Sequence, residues 1–198
     1  GIARCVQEAG LAFCFARSFH PAMRHAGPVR TQLGVPTVFN FLGPLSNPAG
    51  VLRQVIGVSD ARLAPLVAGV LAERGAPRAM VVTGDDGMDE ITLTGPTTIH
   101  EVRDGSVREW TFDPRDIGLD LVAPADIAGG GPEANAAIAQ RVFAGERGAY
   151  RDIVCLNAGA GLVVAGIADD LAVGVERAGA SIDSGAAADV LARLLAVA

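Results

Sequence analysis

The sequence predicts an α/β fold: a mostly parallel central sheet that carries an antiparallel hairpin and is flanked by helices. Three observations carry this reading. A buried-strand pattern at 54–58 is followed by an amphipathic helix and a second strand at 79–82, and such a crossover makes the two strands parallel. Asp104-Gly105 separates two alternating runs, 97–103 and 106–112, which is a strong hairpin signal. From Pro132 onward the chain reads as a succession of helices.

The elements follow in order. Residues 2–16 place Ile2, Cys5, Val6, Ala9, Ala12, Phe13 and Ala16 at near-helical spacing, with Gly10 as the weak point. Two short helices are expected between 20 and 34, broken near Gly27-Pro28 and ended by Gly34, and then an extended piece at 37–40. Ser59-Asp60 caps a helix over 61–74, with Leu63, Leu66, Val67, Val70 and Leu71 facing inward; Gly75 and Pro77 stop it. In the hairpin, Trp110 and Phe112 alternate with Glu109 and Thr111, so one face is buried. The stretch 113–131 reads as loop. Helices are expected over about 132–143, 149–165, 169–180 and 185–196, separated by glycines. The chain shows no internal repeat and no low-complexity linker, so 1–198 reads as one unit, a single α/β portion of a catalytic domain.

Composition narrows the function. Half of the 198 residues are hydrophobic, and the mean hydropathy of +0.36 is high for a soluble chain. No apolar run reaches the roughly 18 residues of a membrane span. The excess suits a core that expects more chain to cover it. The start, GIARCVQ, lacks a basic head before a long apolar stretch, so no signal peptide is read. A net charge of −6 argues against a general nucleic-acid binder. All 16 basic residues are arginine, which excludes a Schiff-base lysine and a Gly-Lys-Ser/Thr phosphate loop within these residues. Cys5, Cys14 and Cys155 lack metal-type spacing and read as buried thiols of a cytoplasmic protein.

Two places concentrate polar chemistry. Over 19–50 the turn residues Pro21, Pro28, Pro36, Gly43 and Pro44 are interleaved with His20, His25, Arg24, Arg30, Asn40 and Asn47. That pattern suits either a ligand-facing loop or a well-anchored surface loop. At 84–90, Asp85, Asp86, Asp89 and Glu90 put four carboxylates within six residues, with no arginine between Arg78 and Arg103. They follow a strand, at the edge where open α/β sheets bind ligands. An oxygen-only set without Cys or His fits magnesium, and a solvated acidic turn fits the same residues. Gly129–Gly131 with Pro132 reads as a helix start and takes no ligand. No nucleophilic constellation is legible, so no catalytic nucleophile is assigned.

The blocks FHPAM, VR-x-x-LGV-x-TVFN-x-LGPLSNPA, GDDGMDE, GGGPEANAAIAQRVFAGERG, RDIVCLNAGAGL and SIDSGAAADVL resemble, in that order, the anthranilate phosphoribosyltransferase family. The resemblance implies a nucleoside phosphorylase/phosphoribosyltransferase-like catalytic domain. The implied reaction transfers phosphoribosyl from phosphoribosyl pyrophosphate to anthranilate, in tryptophan biosynthesis. Asp89 and Glu90 match the family's magnesium-binding pair, while Asp85 and Asp86 shape the turn. Arg30 matches the arginine that meets the anthranilate carboxylate; an exposed helix arginine is its plain alternative. His20 matches a pocket position, with a structural histidine as its alternative, and Gly43-Pro44 match the apolar wall beside the ring. The family's glycine-rich GTGGD loop and KHGNR-type block have no counterpart here. The chain therefore reads as the C-terminal larger part of such an enzyme, inactive by itself, and a homodimer is expected of the complete enzyme. Two other readings stay open: a pyrimidine nucleoside phosphorylase-like enzyme, and a non-catalytic relative that binds a ligand or partner.

Overall fold

In chain order the elements are α1 (Ile2–Ala9), α2 (Leu42–Leu45), β1 (Arg53–Gly57), α3 (Ala64–Glu73), β2 (Arg78–Gly84), β3 (Thr97–Arg103), β4 (Ser106–Phe112), α4 (Pro132–Phe143), α5 (Ala149–Ala165), α6 (Leu171–Asp183) and α7 (Ala186–Val197). They belong to a computed structural model that describes residues 1–15, 19, 32, 34, 42–47 and 49–197, with the backbone alone at 42 and 44. The helices expected between 20 and 34 and the extended piece at 37–40 lie outside the described residues. The chain divides into two compact units, Gly1–Val51 with Asp189–Ala198, and Leu52–Ala188.

In the first unit α1 stops at Ala9, short of the expected 16. Gly10 adopts φ 78° and donates its N–H to the Val6 carbonyl, a left-handed cap that glycine forms without a Cβ penalty. Cys5 and Ala9 form the buried face of α1. Arg4 donates from Nη2 to the Val197 carbonyl at 2.9 Å, at the end of α7. Cys14 is exposed, against expectation, whereas Cys5 and Cys155 are buried. The apolar neighbours of Cys14, Phe13 and Phe15, are themselves exposed and do not bury it.

The second unit is built on a sheet of order β1-β2-β3-β4. The predicted crossover pair is present: β1 and β2 run parallel, with Ile56 opposite Val81. The hairpin occupies the expected residues, with Ile99 opposite Trp110. The α/β class is as expected, but among the described residues only one pairing of three is parallel. The reason lies in the 85–96 connection, which folds as a turn and a loop with no crossover helix. Without one, β3 returns antiparallel to β2.

Both faces of β2 are covered. Met80 and Val82 join Ile99 and Phe112 against Leu156, Ala160 and Val163 of α5. Helix α3 starts at Ala64, later than predicted, because Asp60 closes a turn first: it accepts Arg62 N–H at 3.1 Å and pairs with the Arg62 guanidinium at 2.7 Å. Val67 and Leu71 face inward as expected, together with Ala64 and Ala68, whereas Leu66 is 65% exposed. The expected loop 113–131 holds two 3₁₀ turns, Pro114–Ile117 and Pro124–Ile127. Hydrogen bonds from Arg115 hold the Asp113 carboxyl down to about 2.

Helix α5 is seated by contacts at its end and its middle. Its C-terminal carbonyls lack intrahelical donors. Arg53 donates to Val164 O at 2.6 Å and Arg78 to Val163 O at 2.8 Å. These two arginines are register partners at the start of β1 and β2. Their charge also suits the negative end of the helix dipole. In the middle, α5 and α6 touch backbone to backbone. A Cβ on Gly174 would lie 2.6 Å from the Gly159 carbonyl oxygen, and one on Gly159 would lie 2.8 Å from Val175 N. Gly174→Ala is therefore expected to cost about 1–3 kcal/mol through overpacking. Gly161→Ala, where a Cβ meets nothing within 4 Å, should stabilise by up to about 1 kcal/mol through helix propensity. Thermal unfolding of the two variants should therefore shift in opposite directions.

Candidate functional site

Strands β1 and β2 end at Gly57 and Gly84, and the acidic turn begins there. The turn is closed by Gly84 N–H to Met88 O and Gly87 N–H to Gly84 O, each 2.9 Å, and Asp85 N–H donates to Pro96 O at 3.0 Å. Gly87 has φ 86°. The four carboxylates divide into different roles. Asp86, though exposed, bonds back onto the following segment, accepting from Met88 N–H at 3.0 Å, from Thr92 Oγ1 at 2.7 Å and from Thr94 Oγ1. Burial works against its charge, but the hydrogen bonds from Thr94, Met88 and Thr92 outweigh it and hold the carboxyl below its ordinary value. Gly84 makes room, since a Cβ there would lie 2.4 Å from Asp86 Oδ1.

Asp89 and Glu90 face outward. Both are exposed, and among the described residues neither forms an ion pair. Burial of its inner side and then the neighbouring Asp89 charge push the Glu90 carboxyl above its ordinary value. Their backbone is held from two sides. Beneath Asp89 lies Gly57, where a Cβ would fall 1.6 Å from the Asp89 carbonyl oxygen. One residue on, Asn157 of α5 accepts Ile91 N–H at 2.9 Å and donates to Ile91 O at 2.9 Å.

The pair stands on the rim of an open groove of about 450 Å³. Val55 and Val82 of the sheet and Ile153 and Val154 of α5 supply its apolar wall. Among the described residues no group of three or more His, Cys, Asp or Glu could hold a metal by itself. Two adjacent carboxylates without a cationic partner nevertheless fit magnesium, which is commonly held by one or two carboxylates with the remaining oxygens from water and phosphate.

The structure thus brings Asp89 and Glu90 side by side at the sheet edge. Gly43 and Pro44 lie in α2, in the other unit, with open space around Gly43. His20 and Arg30 lie outside the described residues. Gly131 is the N-cap of α4 with Pro132 in its first turn, the helix start expected of the triple glycine. Asn135 closes that start by accepting Gly130 N–H at 2.7 Å. Gly57 and Asn157 were missed from sequence. The available signals were a glycine ending a β-branched strand and an amide inside an apolar helix, where asparagine is a poor helix former.

The domain is of the α/β class, with a carboxylate pair that forms no ion pair among the described residues at the carboxyl edge of its sheet, where open α/β sheets commonly bind ligands. The family described as "Glycosyl transferase family, a/b domain" matches residues 1–188, and the chain belongs to it. The chain is 57% identical over 196 residues to an anthranilate phosphoribosyltransferase of Methylorubrum extorquens (strain PA1), covering 99% of this chain and 58% of that protein. It is 49% identical over 202 residues to the Arthrobacter sp. (strain FB24) anthranilate phosphoribosyltransferase, over 99% of this chain and 57% of that protein. Among solved structures, the anthranilate phosphoribosyltransferase of Thermus thermophilus superposes with a TM-score of 0.91 at 43% identity, over 99% of this chain and 58% of that one. The Saccharomyces cerevisiae enzyme in complex with PRPP and Mg gives 0.77 at 29% identity, over 88% and 50%. The chain thus spans somewhat over half the length of the curated relatives it matches.

Gly57→Ala tests the seating of the turn. The new methyl cannot coexist with the Asp89 carbonyl, so the turn must shift or the protein lose about 1–3 kcal/mol. Thermal unfolding, with backbone amide shifts at 88–91, should report one or both; an unchanged pair of readouts would show that the turn does not rest on β1.

Proposed function

We propose that this chain forms the acceptor and metal side of an anthranilate phosphoribosyltransferase, which moves a phosphoribosyl group from phosphoribosyl pyrophosphate to the amine of anthranilate and releases pyrophosphate. The observation that carries the proposal is the outward-facing Asp89–Glu90 pair, without a cationic partner among the described residues, at the sheet edge beside a groove. Family membership supports it, as do the names of the relatives. Those names favour the transferase over the nucleoside phosphorylase-like reading.

Asp89 and Glu90 are the residues that would hold magnesium, and neighbouring structures solved with Mg bound support that choice. Bound there, the metal supplies positive charge against the leaving pyrophosphate. Arg30 offers two parallel guanidinium donors to the anthranilate carboxylate, fixing the ring's orientation. His20 and Gly43-Pro44 shape the ring's pocket. The chemistry then needs no covalent nucleophile, because positioning sets a neutral amine against a sugar carbon that gains positive charge. The whole 1–198 stretch works as one portion of the catalytic domain. The complete enzyme acts as a cytoplasmic homodimer on small molecules, without nucleic acid or membrane. Among the described residues no helix is long and apolar enough to cross a membrane.

The function is tested by assaying phosphoribosyl anthranilate formation by the 198-residue chain alone and after co-expression with an N-terminal segment from a complete relative. Activity on co-expression alone is the expected result, and turnover by the isolated chain would overturn this division of roles. In the active pairing, Asp89→Asn with Glu90→Gln should raise the magnesium requirement and lower turnover without unfolding. With the native carboxylates, metal loading should weaken as pH falls, since the raised Glu90 group takes up its proton early.

Arg30→Ala removes a charge-assisted pair of roughly 1.5–3 kcal/mol, or about 10- to 150-fold. The loss should fall on the KM for anthranilate and spare that for phosphoribosyl pyrophosphate. Equal loss for both substrates would mark a structural arginine.

A further inference from the structure

The carboxylates at 89 and 90 serve a cation best when the backbone between them is held still, and the bonds that close the acidic turn on itself stop at Met88. Repulsion between the two charges works to splay them apart. Ile91, the next residue, has a fully buried side chain. Its N–H and C=O both go to one side chain, Asn157 of α5, at 2.9 Å each. The remaining amide N–H of Asn157 donates to Ile153 O of its own helix at 3.1 Å. One acceptor and both donors are therefore in use, so the amide cannot rotate without losing several bonds. No other side chain of similar size offers a donor and an acceptor in the geometry of a peptide group. Asn157 thus satisfies both backbone groups of Ile91, which lies outside the sheet and has no strand partner among the described residues. It does so on the rim of the groove that Asp89 and Glu90 also line.

From this geometry we infer that Asn157 is a positioning residue: it pre-sets the Asp89–Glu90 backbone for a divalent cation before any cation arrives. The inference rests on the reading of that pair as the metal-holding residues. Groups that orient metal ligands typically alter affinity by about 10- to 100-fold when removed. Asn157 touches neither metal nor substrate in this role. Its effect passes through Ile91 to the two carboxylates.

The test uses the full 198-residue chain and Mn²⁺ as the probe, titrated by electron paramagnetic resonance. Hydrogen exchange at residues 86–93 is followed in parallel. Asn157→Ala, whose new residue favours the helix, should weaken Mn²⁺ binding about tenfold or more, speed exchange at the Ile91 amide and leave helical circular dichroism unchanged. Mn²⁺ binding that is lost in Asp89→Asn with Glu90→Gln but unchanged in Asn157→Ala overturns the role of Asn157 alone. Absent binding by the unaltered chain, or binding indifferent to the two carboxylates, overturns the metal reading and this inference with it. A measurement on the unaltered chain decides the matter should Asn157→Ala not fold. The Ile91 amide should be protected before Mn²⁺ is added. Fast exchange that slows only on Mn²⁺ addition would show that the cation orders the turn, and would overturn the proposal.

Discussion

Helix α5 is pressed onto the sheet through Leu156, Ala160 and Val163, whose neighbours are Met80 and Val82 of β2, and that burial sets how far Asn157 can reach. Each large apolar side chain so buried contributes about 1.5–3 kcal/mol, more than the net worth of any single hydrogen bond at the turn. Packing therefore places the helix, and the hydrogen bonds follow. The helix end is tied by Arg53 and Arg78 to the beginning of the strands. Its middle is held close to α6 by Gly159 and Gly174. With the strand starts occupied in this way, the opposite ends, at Gly57 and Gly84, carry the acidic turn.

The turn shows how hydrogen-bond donors, and not residue type, decide what a carboxylate does. Asp86 meets two threonine hydroxyls and an amide, and its charge is absorbed into the architecture of the turn. Asp89 and Glu90 meet no cation among the described residues. Glu90 feels both burial and its neighbour's charge, and its proton affinity rises. A carboxylate pair that meets no cation among the described residues carries an electrostatic cost that a bound cation would relieve. That is the physical basis for giving the pair a ligand role and Asp86 a structural one.

Local chemistry was enough for much of the fold. Asp104-Gly105 places the hairpin because only a few dipeptides adopt the required turn, and Asp104 indeed takes φ 48°. Glycines 145, 148 and 166 bound α4 and α5 because each takes a positive φ. Gly10 follows the same logic and ends α1 one residue after Ala9. Leu66 was read as core because helical spacing was counted from 61. The packed face runs through Ala64, Val67, Ala68 and Leu71, which leaves Leu66 on the outer side. The sheet is less parallel than its sequence suggests because a strand pattern does not state the direction of its partner. That direction follows from the connection.

The sequence by itself determined the class of fold, the order of the elements, the acidic turn and the family likeness, since each rests on local spacing or on contiguous motifs. Tertiary structure alone decided which carboxylate is tied into the turn, because the threonines that satisfy Asp86 are reached only when the 85–96 connection folds back. It alone paired Gly57 with Asp89 and Asn157 with Ile91, residues 32 and 66 positions apart in the chain. A missing Cβ and a side-chain amide carry no mark of their partner in one dimension. Their roles exist only once the sheet edge and α5 have met.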